Sequence, residues 1–309
     1  MCIYAWLRRI VCIVGITLWG VSVAQATRQI EVVTSFSILA DFVRQVGGER
    51  VVVHTLVGPD EDAHAFQPRP SDARRIGDAR LVVVNGLGFD DWMVRLARSA
   101  GYSGEIVIAS TDIQPLEEKG HHGHEHHGGT DPHAWQNVAN ARRYVANIAL
   151  ALQKVDPEGA GLYQRNAQRY DEALRQLDAE IRSRLAELPE KRRKVVSSHD
   201  AFAYFAQAYG MVFLAPVGVS NDAEPSARAI AKLIGQIRTE QVPAVFIETV
   251  ADPRLLYRIQ AESGARIGGT LYSDALSSSS GPVPTYLAMM QHNLRVLLEA
   301  LAPPAVQQD

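Results

Sequence analysis

Short runs of β-branched and other apolar residues alternate with amphipathic stretches along the first part of the chain. Helical periodicity fills most of the intervals, and Ser71 is predicted to cap the helix that runs to Ala79. Four apolar runs predict strands: Ile30–Thr34, Val51–Val57, Leu81–Asn85 and Ile106–Ala109. Strands that alternate with helices in this way predict a parallel sheet with helices on its faces.

The pattern changes between Val138 and Leu188, where helical periodicity continues without a strand signal. It is broken once, at Asp156-Pro157, and the stretch from Gly161 to Leu188 predicts one long helix. Four further strand-like runs follow: Val195–Ser198, Met211–Ala215, Ala244–Glu248 and Ala265–Gly268. We therefore predict two α/β lobes, residues 27–155 and 190–309, joined by a helical segment over residues 156–189.

The first residues have the features of a secretory signal. Arg8 and Arg9 precede an apolar run from Ile10 to Val23, and Ala24-Gln25-Ala26 follows it in the small-x-small pattern that a signal peptidase recognises. The run is shorter than the roughly 20 residues that a membrane-spanning helix needs. We predict that residues 1–26 are a signal peptide cleaved after Ala26, so that the mature protein is exported.

Composition narrows the class of protein further. Both cysteines, Cys2 and Cys12, lie in the signal segment, so the mature chain forms no internal disulfide. Cys12 also lacks the small preceding residue of lipidation sites, which favours a freely soluble mature chain. Cleavage removes two arginines and no acids, making the formal charge of −3 more negative by two. Such a chain gives no support to nucleic-acid binding, and we expect a monomer.

Residues 117–130 form a glycine-interrupted histidine tract, EEKGHHGHEHHGGT, without an apolar residue to bury. We predict a flexible surface loop. Clustered imidazoles on such a loop would offer weak auxiliary metal sites, although a solvated loop without a metal role is the alternative. The histidines concerned are His121, His122, His124, His126 and His127.

The remaining five histidines fall into two groups. His54 lies inside a predicted strand and His292 inside the final helix, and neither has an acidic sequence neighbour placed to orient it, so we interpret both as structural. His64, His133 and His199 instead lie in loops that follow strands. Because ligands collect at the carboxyl ends of parallel strands, these three histidines predict a metal site in a cleft between the lobes.

Carboxylates accompany these three histidines and could complete the site. Asp62, Asp131 and Asp200 are close enough in sequence to orient the imidazoles, although Asp131-Pro132 is also ordinary turn chemistry. Asp274, just after the last strand, is the favoured fourth ligand, and Glu248, at the end of the preceding strand, is the alternative.

Three neutral imidazoles and one carboxylate suit Zn²⁺, whereas Mn²⁺ is better served by more oxygen ligands. Three histidines with an open fourth position would also describe a zinc-dependent hydrolase. If the carboxylate of Asp274 fills that position, no site remains for an activated water. The sequence then favours storage of an ion over catalysis.

Four segments together resemble the zinc/manganese-type solute-binding proteins of bacterial ABC importers, in the family's order and over nearly the whole mature chain. They are GPDEDAHAFQPRPSDARRIGDARLVVVNGLGFDDWM, DPHAWQNVANA, SSHDAFAYFAQAYG and SDALSSSSGPVPTYLAMMQHN. The resemblance implies a periplasmic, non-enzymatic metal-binding protein that docks onto a membrane permease. It also implies two similar lobes, each a four-stranded parallel sheet flanked by helices, around one buried site and joined by a long rigid helix.

The ligands implied by the resemblance are His64, His133, His199 and Asp274. Manganese-specific relatives usually carry Glu where this chain has His199, and some zinc-specific relatives carry a disulfide that this chain lacks. The histidine tract resembles the variable loop of zinc-type members. We therefore expect zinc as the cargo, with manganese or iron as the alternative. An adhesin function has been attached to relatives, but nothing in this sequence supports it independently.

Overall fold

The computed structural model describes residues 29–118, 129–220 and 225–302. The predicted signal peptide lies outside the described residues. So do the five histidines of the predicted loop: His121, His122, His124, His126 and His127. Among the helices that the structure describes, none is both long and apolar enough to cross a membrane.

The first lobe is built on a four-stranded parallel sheet with the strand order β2-β1-β3-β4. Its strands are β1 (Ile30–Phe36), β2 (Val51–Val57), β3 (Leu81–Val84) and β4 (Glu105–Ile108). Its helices are α1 (Ser37–Gly47), α2 (Pro70–Asp78) and α3 (Asp91–Ser99). The central strands β1 and β3 are covered on both faces, which explains their uninterrupted apolar sequences.

Helix α2 begins differently from the sequence prediction. The predicted cap, Ser71, is already inside the helix, because Pro70 occupies the first helical position, where its missing N–H is not needed. The backbone N–H of Arg69 donates to the Asp72 carboxylate at 2.8 Å. A carboxylate three residues further along thus closes the helix start in place of the serine hydroxyl.

Two helices form the backbone between the sheets, α4 (Val138–Val155) and α5 (Ala160–Ala186). The break between them falls at the predicted Asp156-Pro157 pair. Both oxygens of Asp156 accept hydrogen bonds from the Arg50 guanidinium at 2.8 Å, and Tyr163 donates to the same carboxylate at 2.5 Å. These bonds tie the junction of α4 and α5 to the turn that precedes β2.

The second lobe repeats the first, with a four-stranded parallel sheet in the order β6-β5-β7-β8. The strands are β5 (Lys194–Val196), β6 (Val212–Leu214), β7 (Ala244–Glu248) and β8 (Arg266–Leu271). The helices are α6 (Ala203–Tyr209), α7 (Ala227–Thr239), α8 (Arg254–Ser263) and α9 (Tyr286–Leu301). Equivalent strand order in two lobes means that the carboxyl ends of both sheets can face one site.

One apolar core runs through both lobes. It contains residues of α1, α4, α5, α6 and α9, among them Phe42, Tyr144, Leu174, Phe205 and Leu297. The long helix α5 packs against α1 on one side and α9 on the other. Because this core crosses residues 155 and 189, the lobe boundaries placed there remain predictions. The shared core holds the two sheets in a fixed relation, which positions the loops at their edges.

Candidate metal centre

Three histidines and one aspartate meet between the two sheets. His64 lies in the loop after β2 and His133 in the segment after β4, while His199 follows β5 and Asp274 follows β8. One potential ligand atom from each residue lies within 4.8 Å of the others. The structure thus brings together the four side chains that the sequence predicted, and it does so at the carboxyl ends of parallel strands.

The distances between these atoms match the needs of a single small ion. The Nε2 atoms of His64 and His133 are 3.3 Å apart. The Asp274 carboxylate places Oδ1 3.4 Å from His133 Nε2, and Oδ2 3.1 Å from His199 Nε2 and 3.6 Å from His64 Nε2. Metal–nitrogen bonds of roughly 2.0–2.1 Å in a tetrahedron require ligand atoms about 3.3–3.4 Å apart. The observed spacing is centred on that value.

The site is closed to solvent on most sides. His133, His199 and Asp274 are fully buried, and 8% of the His64 side chain is exposed. His64 also borders a cavity of about 430 Å³ that is lined by Phe89 and Glu118 as well. Neither carboxylate oxygen of Asp274 has a hydrogen-bond partner among the residues that the structure describes. A buried carboxylate without donors is costly, and a bound cation would compensate it.

Two of the histidines are held by carboxylates on their far side. Asp131 Oδ1 lies 2.8 Å from His133 Nδ1 and also accepts the backbone N–H of His133. Glu248 Oε2 lies 2.9 Å from His199 Nδ1, and Glu248 Oε1 accepts the backbone N–H groups of Ser198 and His199. A carboxylate at Nδ1 leaves Nε2 as the nitrogen that faces the ion and makes it a stronger ligand.

The other acidic candidates have different positions. Asp62 accepts the backbone N–H of His64 at 2.8 Å and so shapes the loop that carries this histidine. Both ring nitrogens of His199 face the carboxylates of Glu248 and Asp274, so the prediction that Asp200 orients His199 is corrected. Glu248 lies behind His199, on the side away from the ion, which argues against it as the fourth ligand.

The charges of the metal-free site are strongly coupled. Burial opposes ionisation of Asp274, but the nearby imidazoles of His199, His133 and His64 outweigh it and hold the pKa of this carboxyl well below its usual range. Burial likewise disfavours the charged form of His199, yet Glu248 and Asp274 raise its pKa well above 6.5. The metal-free site therefore holds an imidazolium between two carboxylates at neutral pH.

Residues that the sequence analysis did not single out support the site from behind. The Phe89 ring packs edge-on against His64, with ring centroids 4.8 Å apart. The Asn85 side chain donates to the Pro132 carbonyl at 3.0 Å, directly before His133. The buried Asp90 carboxylate accepts the backbone N–H groups of Asn85 and Gly86, and its burial raises its pKa to about 6. The NGLGFDD segment that carries Asn85, Phe89 and Asp90 was the available signal.

The two histidines interpreted as structural lie in regular elements outside this cluster. His292 Nε2 lies 3.0 Å from the carbonyl oxygen of Thr270, and its ring packs edge-on against Tyr272. His54 Nε2 lies 2.7 Å from a carboxylate oxygen of Glu31 on the neighbouring strand. The expectation that His54 has no acidic neighbour holds for the sequence but is wrong for the folded sheet, where parallel pairing brings Glu31 beside it.

Comparison with known proteins agrees with this geometry. Residues 32–300 match the profile of a family described as zinc-uptake complex component A, periplasmic. The manganese-binding lipoprotein MntA of Halalkalibacterium halodurans is 33% identical over 274 residues, which are 88% of this chain and 89% of that protein. The iron-binding protein YfeA of Yersinia pestis is 33% identical over 270 residues, covering 86% and 85% of the two chains.

Solved structures show the same architecture. The periplasmic zinc-binding protein TroA from Treponema pallidum superposes with a TM-score of 0.83 at 30% identity, over 89% of this chain and all of that one. A manganese-bound periplasmic metal-binding protein from Candidatus Liberibacter asiaticus gives a TM-score of 0.77 at 28% identity, over 88% of this chain and all of the other. Fold, site and sequence agree: the chain belongs to the zinc-uptake component A family, the periplasmic metal-binding, substrate-binding proteins of ABC importers.

Proposed function

We propose that this protein binds one Zn²⁺ ion through His64, His133, His199 and Asp274 and delivers it to a membrane permease. The observation that carries the proposal is the spacing of three imidazole nitrogens and one carboxylate around a single buried point. Nitrogen-rich, four-coordinate sites suit zinc. Because the family consists of substrate-binding proteins, the protein is not a hydrolase.

Manganese or iron is the second candidate cargo. Relatives named as manganese-binding and iron-binding proteins support it. So does the Asp274 carboxylate, because both of its oxygens face the imidazoles and could bind together, adding an oxygen ligand. Mn²⁺ favours oxygen ligands more than Zn²⁺ does. Zinc remains the first choice because three of the four side chains supply neutral nitrogen.

We further propose that the mature protein works in the periplasm after cleavage of residues 1–26. The family description as periplasmic supports this location. Several relatives are named lipoproteins, among them PsaA of Streptococcus pneumoniae. In this chain Val11 precedes Cys12, where lipidation sites carry a small residue, so we favour a soluble mature protein.

A competition titration of the purified, metal-free mature protein with Zn²⁺ and Mn²⁺ tests the cargo. We expect one tight zinc site per chain and a larger dissociation constant for manganese. His133→Ala should abolish the tight site, whereas His54→Gln, on a surface strand, should leave it intact. Tighter binding of manganese than of zinc would reject zinc as the cargo, and tight binding by the His133→Ala variant would reject the site.

A further inference from the structure

One backbone carbonyl joins the turns that carry His133 and Asp274. The Ser273 oxygen accepts a hydrogen bond from the Trp135 indole Nε1 at 2.8 Å and a second from the Gln136 amide Nε2 at 2.7 Å. All three residues are fully buried. The two donors come directly after the turn residue that follows His133, and the acceptor immediately precedes Asp274. We call these two hydrogen bonds the Ser273 clamp.

The segment around Asp274 lies between β8 and α9 and has no regular structure of its own. Neighbouring backbone groups are fixed, since Tyr272 exchanges two hydrogen bonds with the Asn293 side chain and the Leu276 N–H donates to Ser37 Oγ at 2.9 Å. The Asp274 carboxylate has no hydrogen-bond partner in the described part of the chain. Its position therefore depends on its backbone, and the Ser273 clamp is the anchor directly beside it.

The amide of Gln136 is not explained by stability alone. Its Oε1 atom is buried and lacks a hydrogen-bond partner among the described residues, which is unfavourable. An apolar side chain of similar size would avoid that cost, and Trp135 already donates to the same carbonyl. A second donor does have a geometric effect, because two donors from different directions restrict rotation of the Ser273 peptide more than one does.

We propose that Gln136, together with Trp135, is a positioning residue that sets how the two oxygens of Asp274 face the metal ion. This inference rests on the metal site proposed above. A four-coordinate zinc ion needs one carboxylate oxygen beside the three imidazoles, whereas manganese gains from binding both. Loss of the Ser273 clamp therefore weakens manganese binding more than zinc binding.

Two variants and one control test the proposal. Gln136→Met removes one donor at similar volume, and Trp135→Phe removes the other while keeping an aromatic ring in the packing. The control is Tyr286→Phe, because the Tyr286 hydroxyl donates to the Trp135 carbonyl at 2.6 Å and so supports the same turn without touching Ser273. The measurements are the dissociation constants for Zn²⁺ and Mn²⁺ and the visible absorption of the Co²⁺-loaded protein, which reports the coordination number.

We expect Gln136→Met and Trp135→Phe to raise the ratio of the manganese to the zinc dissociation constant by about ten- to hundredfold. Their Co²⁺ spectra should shift toward the stronger bands of four-coordinate cobalt, and the Tyr286→Phe control should match the wild type. An unchanged ratio and spectrum in both clamp variants would overturn the proposal, as would an equal change in the control. If Gln136→Met does not fold, Trp135→Phe decides the matter. A wild-type protein that binds neither ion would instead refute the proposed function itself.

Discussion

Binding of a metal ion at His199 displaces a proton, and Glu248 controls how readily that happens. In the metal-free protein the His199 ring lies fully buried between two carboxylates, with Nδ1 2.9 Å from Glu248 and Nε2 3.1 Å from Asp274. Burial disfavours the imidazolium, but the two carboxylates outweigh it and raise its pKa well above 6.5. At pH 7 the metal-free His199 is therefore protonated, and an ion that takes Nε2 must release that proton.

The expected size follows from linkage. His199 should release about one proton for each ion bound at pH 7, and affinity should fall by about tenfold for each pH unit below the raised pKa. The sign for the metal-free fold is the same as for other histidines with a raised pKa. The stabilisation that the imidazolium provides is fully present below the unfolded-state pKa of about 6.5 and is lost as the pH rises through the folded-state pKa.

Glu248→Gln isolates this effect. The amide keeps the shape of the side chain but removes the negative charge, so the pKa of His199 falls and fewer protons are released at pH 7. Calorimetric titration with Zn²⁺ in buffers of different ionisation enthalpy counts the protons. The matched control is Glu31→Gln, which makes the same change beside His54 on the protein surface. Equal proton release by wild type and Glu248→Gln, or none by the wild type, would refute the role given to Glu248.

Three further predictions concern the same site and the histidine tract. His199→Glu exchanges a nitrogen ligand for a carboxylate, so the ratio of the manganese to the zinc dissociation constant should fall, and an unchanged ratio in the folded variant would show that His199 does not bind the ion. Deletion of residues 120–128 should remove weak zinc sites in a titration and leave the tight one, which would otherwise have been assigned to the wrong residues. Zinc at a thousandfold excess over its dissociation constant should stabilise the fold by about 4 kcal/mol, and a melting temperature indifferent to zinc would contradict the buried site.

The sequence predicted most of this fold because its elements have simple periodicities. All eight predicted strands are present, and the long helix predicted from Gly161 to Leu188 is observed as Ala160–Ala186. Errors occur where local rules compete. Ser71 has the chemistry of a helix cap, but Pro70 starts the helix one residue earlier because proline is favoured at the first helical position.

The ligand candidates could be predicted, whereas part of their support could not. Histidines that follow strands of parallel sheets are brought to one edge by topology, so their meeting needs no knowledge of distances. Sequence proximity suggested that Asp200 orients His199, yet a residue next in a chain points its side chain in another direction. Glu248 takes that place because β7 lies beside β5 in the sheet, a relation visible only once the strand order is known.

The Ser273 clamp illustrates the same difference from the other side of the site. Trp135 and Gln136 lie far from Ser273 in the chain, and neither residue type is typical of metal sites. Their contribution arises because the shared core brings the turn after His133 against the segment after β8, so that two buried N–H groups meet one carbonyl. Ligand identity is thus encoded locally in this chain. The geometry that decides between zinc and manganese depends on contacts between lobes, and for that reason relatives with similar folds can carry different ions.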